Sequence, residues 1–288
     1  MGFQWSLQDR SMGEGFVRIA REQIDKAIAI AEDAGQAPAR RVHEARRRAK
    51  KLRALLRLVR PDFSDYAAEN AFVRDAARAL SAARDTKVAE DTLDRLLDWA
   101  GREAPPRRTP DAAVDEERML TTFAAAMREM QRRTQGWKIG RIDLDTLANG
   151  LTDTYRRGRR AMQLVAERPT DAGFHEWRKH AKYHWNQLGL IEACAEDILP
   201  SAHKAAGELA DLLGLHHDLA VLRELIEAEP GRFEAIDTDF VQEAARRRQA
   251  ELEKRIGTLG RQIHAERPRA LRARFRRYLE GWSAQEAG

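Results

Sequence analysis

The chain has 288 residues, room for one large domain or two of about 150 residues, and its 51 Lys and Arg against 46 Asp and Glu leave a net charge of +5. A single cysteine, Cys194, excludes an internal disulfide framework and a Cys-rich zinc site and fits a reducing compartment. No run approaches the roughly 18 apolar residues of a membrane span, and the opening "MGFQWSLQDRSMGEG" has no apolar h-region, so the expectation is a soluble, intracellular protein without a signal peptide.

Long stretches rich in Ala, Leu, Arg and Glu favour helix. Apolar residues recur at three- and four-residue spacing over 16–30, 42–59, 66–83, 88–100, 112–133, 144–165, 174–191, 201–215, 218–227, 235–264 and 268–282. Period-two alternation is scarce, so the fold class is all-α. Gly or Pro punctuation marks breaks at 32–38, 60–64, 101–111, 168–173, 198–201 and 229–231. Asp62, Ser64, Thr170, Asp171 and Ser201 are candidate N-caps.

The chain repeats itself. "VHEARRRAKKLRALL" (42–56) aligns with "FHEWRKHAKYHWNQL" (174–188) at an offset of 132, matching His43 to His175, Arg46 to Arg178 and Lys50 to Lys182. "ALSAARDTKV" (79–88) meets "LLGLHHDLAV" (212–221) at an offset of 133, matching Asp85 to Asp218 and Arg84 to His217. A weaker pair, 16–23 and 155–162, shares Arg18 with Arg157 and Arg21 with Arg160. The three blocks keep their order, which predicts a duplicated helical unit divided near residues 135–142: one repeat over about 1–138, the other over about 139–288.

The first of these helices carries most of the cationic charge. Residues 42–61 hold eight Arg or Lys and one acid, Glu44. With about 100° per residue, Arg46, Lys50, Arg53 and Arg57 lie within about 80° of His43 on one side and Arg47 about 40° on the other. Leu52, Leu55, Leu56 and Val59 lie opposite. In the second copy His175, Arg178, Lys179 and Lys182 share a face, with Trp177, Ala181, Leu188 and Ile191 across from it. A solvated helix face usually mixes signs, because like charges at i, i+4 destabilise a helix. Here Arg46–Lys50, Arg47–Lys51 and Arg53–Arg57 are all like pairs, so the pattern calls for an anionic partner. Surrounding cations should also push His43 and His175 down and keep them neutral at pH 7, and a bound polyanion would reverse that.

The set of motifs resembles the CHAD family, the conserved-histidine α-helical domain. It comprises both His-x-x-Arg-x-x-x-Lys helices, "TYRRGRRA" (154–161), "LLGLHHDLAVLRELI" (212–226) and the tail "IHAERPRALRARFRRYLEGW" (263–282). The resemblance implies a single domain over 1–288 made of two four-helix bundles related by pseudo-two-fold symmetry. It also implies a basic groove or pore that binds inorganic polyphosphate and association with polyphosphate granules; with no P-loop and no convincing catalytic triad, no catalysis or cofactor is expected. It assigns binding to His43, Arg46, Lys50, Lys51 and Arg53 in the first half, and to His175, Arg178 and Lys182 in the second, joined by Arg18, Arg21, Arg157 and Arg160. Asp218 with His217, and Asp85 with Arg84, are expected as supporting pairs. Tyr183 stands where a base is common and Trp185 matches Arg53, so the second half is expected to be less cationic and Trp185 to be packing.

Chemistry supports the expectation. Polyphosphate offers only charged oxygens, and the 42 Arg to nine Lys supply planar forks that bind them bidentately. Sequence-nonspecific nucleic-acid binding is the alternative, since basic helices also contact backbone phosphates. A metal-dependent polyphosphate hydrolase is the other. Its Glu-x-Glu-x-Lys strand motif is approached only by "ELEKR" (251–255), in helical sequence, and there is no P-loop. His180 and His184 have ligand-compatible i, i+4 spacing, but His184 projects to the apolar side, as a core histidine would. Arg246–Arg248, Lys254, Arg255 and the cations of 267–277 either extend the basic surface or form a solvated cap.

Overall fold

The computed structural model describes residues 3–80, 82–103, 113–233 and 236–284, with the side chains of 82–87, 113–115 and 232 left aside. The described residues form ten α-helices: α1 (Met12–Glu32), α2 (Pro38–Leu58), α3 (Tyr66–Ala79), α4 (Ala82–Trp99), α5 (Ala113–Arg133), α6 (Leu144–Glu167), α7 (Asp171–Leu190), α8 (Leu199–Ala228), α9 (Thr238–Ile263) and α10 (Pro268–Ser283). Among the described residues there is no strand; one antiparallel bridge joins Phe63 and Ile139. No described helix is long and apolar enough to cross a membrane.

Local chemistry sets most boundaries. Ser11 and Thr170 cap α1 and α7 by accepting from the backbone N–H three residues on. Asp143 and Thr146 form a capping box at α6. Proline in the first turn opens α2, α8 and α10. Three expected caps fall elsewhere. Asp62 accepts from the Thr146 hydroxyl at 2.6 Å and so ties the turn after α2 to the start of α6. α3 begins after Asp65 rather than Ser64, and α8 starts two residues before Ser201. The two helices expected at 201–215 and 218–227 are one helix, α8, which packs on α4, α7 and α9.

The buried apolar residues form two clusters. In the first, Phe16 and Ile24 of α1, Leu52 and Leu56 of α2, Val73 of α3 and Phe123 of α5 meet Leu147 and Leu151 of α6 and Phe275 of α10. In the second, Leu93, Leu96 and Leu97 of α4 meet Val165 of α6, Trp177 of α7, Leu213 and Leu222 of α8, and Val241 and Ile256 of α9. α4 therefore leaves its chain neighbours and packs on α8 and α9. α6 and α7 run through both clusters and join them: Leu147 and Leu188 lie in the first, Val165 and Trp177 in the second. The connection before α6 is held down by Trp137, whose ring lies 5.4 Å from Phe16 and 5.1 Å from Phe63.

The cationic tail serves the fold. α10 buries Leu271, Phe275, Leu279 and Trp282. Arg272 and Arg276 reach Asp145 of α6 at 2.7 and 2.9 Å, and Arg274 pairs with Glu266. On α9, Arg248 pairs with Glu251 and Arg255 with Glu208.

Candidate functional site

α2 and α7 pack against each other, each with an apolar back in the core. Leu52, Leu55, Leu56 and Val59 are buried, as are Trp177, Ala181, Leu188 and Ile191, so the opposition of faces expected from the helical wheel is present in both. The helices touch closely near their C-terminal halves, where Gln187 Nε2 donates to the Ala54 carbonyl at 3.3 Å. Together with α4 and α8 they border a cavity of about 660 Å³.

The repeated motif converges on this cavity. α2 lines it with His43, Arg46, Arg47 and Lys50, and α7 with His175, Arg178 and Lys182. His217 and Asp218 of α8 complete the wall that the repeat singled out. α4 adds Arg95, which sequence reasoning missed because nothing in the repeat marks it and only the crossing of α4 onto α8 brings it here. Six Arg or Lys thus face two carboxylates, Asp211 and Asp218. The spacing explains the placement: residues 43, 46, 47 and 50 lie at i, i+3, i+4 and i+7, a single helix face.

Two of these histidines, His175 and His217, are held neutral. His175 Nδ1 lies 3.3 Å from His217 Nδ1. Burial, then the nearby Lys179 and Arg178, push His175 below its ordinary value. Burial, then Arg178 and His175, push His217 down to about 4. His217, which the repeat aligns with Arg84 and which was expected beside Asp218, thus meets the repeated His175.

Several expected residues do not line the cavity. Arg53 and Arg57 stand over the Tyr183 ring, at 5.9 and 4.3 Å, where α2 and α7 close together. Arg53 also donates to Asn70 at 3.1 Å, and burial holds it below its ordinary value. Tyr183, the departure from the motif, thus takes up the lower end of the cationic stripe. Lys51 sits 4.7 Å from the Phe3 ring; burial, then Arg48 and Arg47, push it down to about 8. Lys179 pairs with Glu176 on its own helix. Arg157 is bound to Asp153 at 2.9 Å, and Arg160 is exposed on α6. Arg18 is gripped by Asp9 at 2.6 Å and by Glu22 at 2.8 Å, and Arg21 lies beside it in a separate, acid-rich hollow. Asp85, like Arg84, falls outside the described side chains.

One cavity residue reads differently from expectation. Trp185 packs near His203, ring centroids 6.0 Å apart, yet it also lines the cavity. Asn186 lines it too, with its amide donating to the Lys182 carbonyl at 2.7 Å. His184 is a core residue whose ring lies 5.6 Å from Tyr155, and His180 meets Glu176 at 3.1 Å. Among the described residues no group of three His, Cys, Asp or Glu side chains is placed to hold a metal ion.

Comparison with known families places this geometry. No curated protein and no solved structure matches the chain. The CHAD domain matches residues 18–227, from α1 to the last turn of α8. That span takes in both repeated helices and every residue of the cavity, while the tail at 263–282 lies outside it. On a match covering well over half of its length, the chain belongs to the CHAD domain family.

Proposed function

We propose that this CHAD-domain protein binds inorganic polyphosphate without turning it over, and that this binding directs it to polyphosphate granules. One observation carries the reading: the cationic faces of α2 and α7 line the same cavity. A flexible polyanion with no base or apolar face is recognised by fixed cationic donors. Mounting them on packed helices removes much of the ordering cost of binding. The arginines add bidentate geometry. We also read the chain as two copies of one helical unit, about 1–138 and 139–288, arranged as two four-helix bundles between which α4 and α10 cross over. The offset of 133 lays α3 and α4 end to end along α8, which supports that reading.

Nucleic acid is the second reading, favoured by Trp185 and Asn186 at the cavity wall. The Asn186 amide is already committed to the Lys182 carbonyl, which leaves less for base readout. Competition separates the two. Long-chain polyphosphate should displace single- and double-stranded nucleic acid at matched charge concentration. Its affinity should fall with salt on a log–log slope of several units. Lys50→Ala and Lys182→Ala should each weaken it by about tenfold or more, as expected when a charge-assisted hydrogen bond is removed. Failure to displace nucleic acid would overturn the preferred reading. Release of phosphate from long chains in the presence of magnesium would overturn its non-catalytic part.

A further inference from the structure

The wall beside the cationic cavity is not one that a bare phosphate chain needs. A second hollow of about 520 Å³ lies against α7 and the first half of α8. The two share Trp185, Asp211 and Leu215 and so adjoin along one wall. The lining changes character across that shared wall. On one side stand Arg46, Lys50, Arg178 and Lys182; on the other, Pro200, Gly207 and Leu212 join Trp185 and Leu215, beside His203 and the oppositely charged Lys204 and Glu208. Leu215 is 37% exposed, one of four large apolar side chains left so open among the described residues.

The hollow is shaped along the indole. Gly207 leaves space at its edge: a Cβ there would stand 3.0 Å from Trp185 Nε1. His203 lies nearly parallel to the indole, at an interplanar angle of 27°, with its Nδ1 engaged by Glu192. Phosphoryl groups have no apolar surface to bury, so a recess with an indole wall and mixed-sign polar neighbours, adjoining a phosphate-binding cavity, matches a ligand with an anionic tail and a flat, uncharged head that carries hydrogen-bonding edges. Asp211 at the junction sharpens this. Its carboxylate repels phosphate but accepts from a sugar hydroxyl or an exocyclic amine.

We propose that the cavity and the recess together take a nucleoside polyphosphate, its phosphates among the cations of α2 and α7, its ribose beside Asp211 and its base against Trp185. The inference rests on the cavity being a phosphate site. It adds a ligand class that an inorganic-polyphosphate receptor would not distinguish.

Calorimetric titration of the full chain with adenosine 5′-tetraphosphate and with inorganic tetraphosphate, at one ionic strength, tests it. The nucleotide should bind about tenfold more tightly, in the range of a single stacked base. Gly207→Leu fills the recess within a helix that tolerates leucine, and Pro200→Glu puts a carboxylate at its exposed rim. Neither residue lines the cationic cavity. Both variants should erase the preference while holding inorganic tetraphosphate within about twofold of the parent, because only the stacking of the base is removed. If Gly207→Leu fails to fold, Pro200→Glu decides alone. Equal affinity for the two ligands in the parent protein, or a preference that survives in the variants, overturns the inference and leaves the phosphate site standing. If neither ligand binds, the phosphate reading itself falls and takes the inference with it.

Discussion

The two imidazoles that meet through their Nδ1 atoms, His175 and His217, turn the cavity into a proton-linked site. One Nδ1 must carry the hydrogen and the other accept it, and both rings are held below their ordinary values, His217 at about 4. A polyanion beside them favours the charged form and raises both. Binding therefore takes up protons, and affinity should increase as the pH falls from 8 to 6, by at most about tenfold per pH unit for each proton gained. Titrations in buffers of different ionisation enthalpy would count those protons, and a flat or falling affinity would refute the link. Sequence made the histidines and their cationic neighbours visible, since both follow from residue spacing. It did not show that burial is the larger cause, because that depends on α8 closing over His175. Arg18 shows what spacing leaves out. Its spacing matched Arg157, but Asp9, upstream and unremarkable in sequence, reaches it at 2.6 Å.

At the level of helices, the placement of α6 against α2 depends on one absent side chain. A Cβ on Gly150 would lie only 1.8 Å from the Leu58 carbonyl oxygen, so no rotamer adjustment could relieve the clash. Gly150→Ala should destabilise the protein by about 1–3 kcal/mol or more, the cost of forced overpacking, despite alanine's better helix propensity. The shift in denaturant midpoint measures it, and an unchanged or raised midpoint would contradict the close approach. Helix positions were largely legible, because most of these helices bury one stripe and expose the other. α8 was not: it packs on α4, α7 and α9, so apolar residues fall on several sides and the period blurs around Leu215–His217. The crossing of α4 was equally hidden, since an amphipathic pattern says that a face is buried but not against what. Arg95 was missed for the same reason.

For the molecule as a whole, buried histidines outside the cavity set its tolerance to acid. Burial, then His264 and Arg274, push His184 down to about 3; burial, then Arg159, push His264 down to about 4. The unfolded chain takes up these protons first as the pH drops below about 6.5. Their contribution is complete above that value and is lost progressively as the pH falls toward the folded-state values, by about 1.4 kcal/mol per pH unit for each ring that stays neutral. Urea midpoints should therefore be clearly lower at pH 5 than at pH 7; equal midpoints would mean the core accepts the protons. The all-α class was readable from composition and periodicity, and the convergence of two helices on one cavity was suggested by the repeat. Which cations reach that cavity was decided by packing. The excursion of α4 has a further consequence. Leu93, Leu96 and Leu97 find their bed on α8 and α9, so a polypeptide cut near residue 138 would leave a sticky strip on one piece and a vacant trough on the other. Separately purified, the pieces should be prone to clump; expressed together, they should recognise each other and restore a single particle, behaving as a split protein rather than as two autonomous modules.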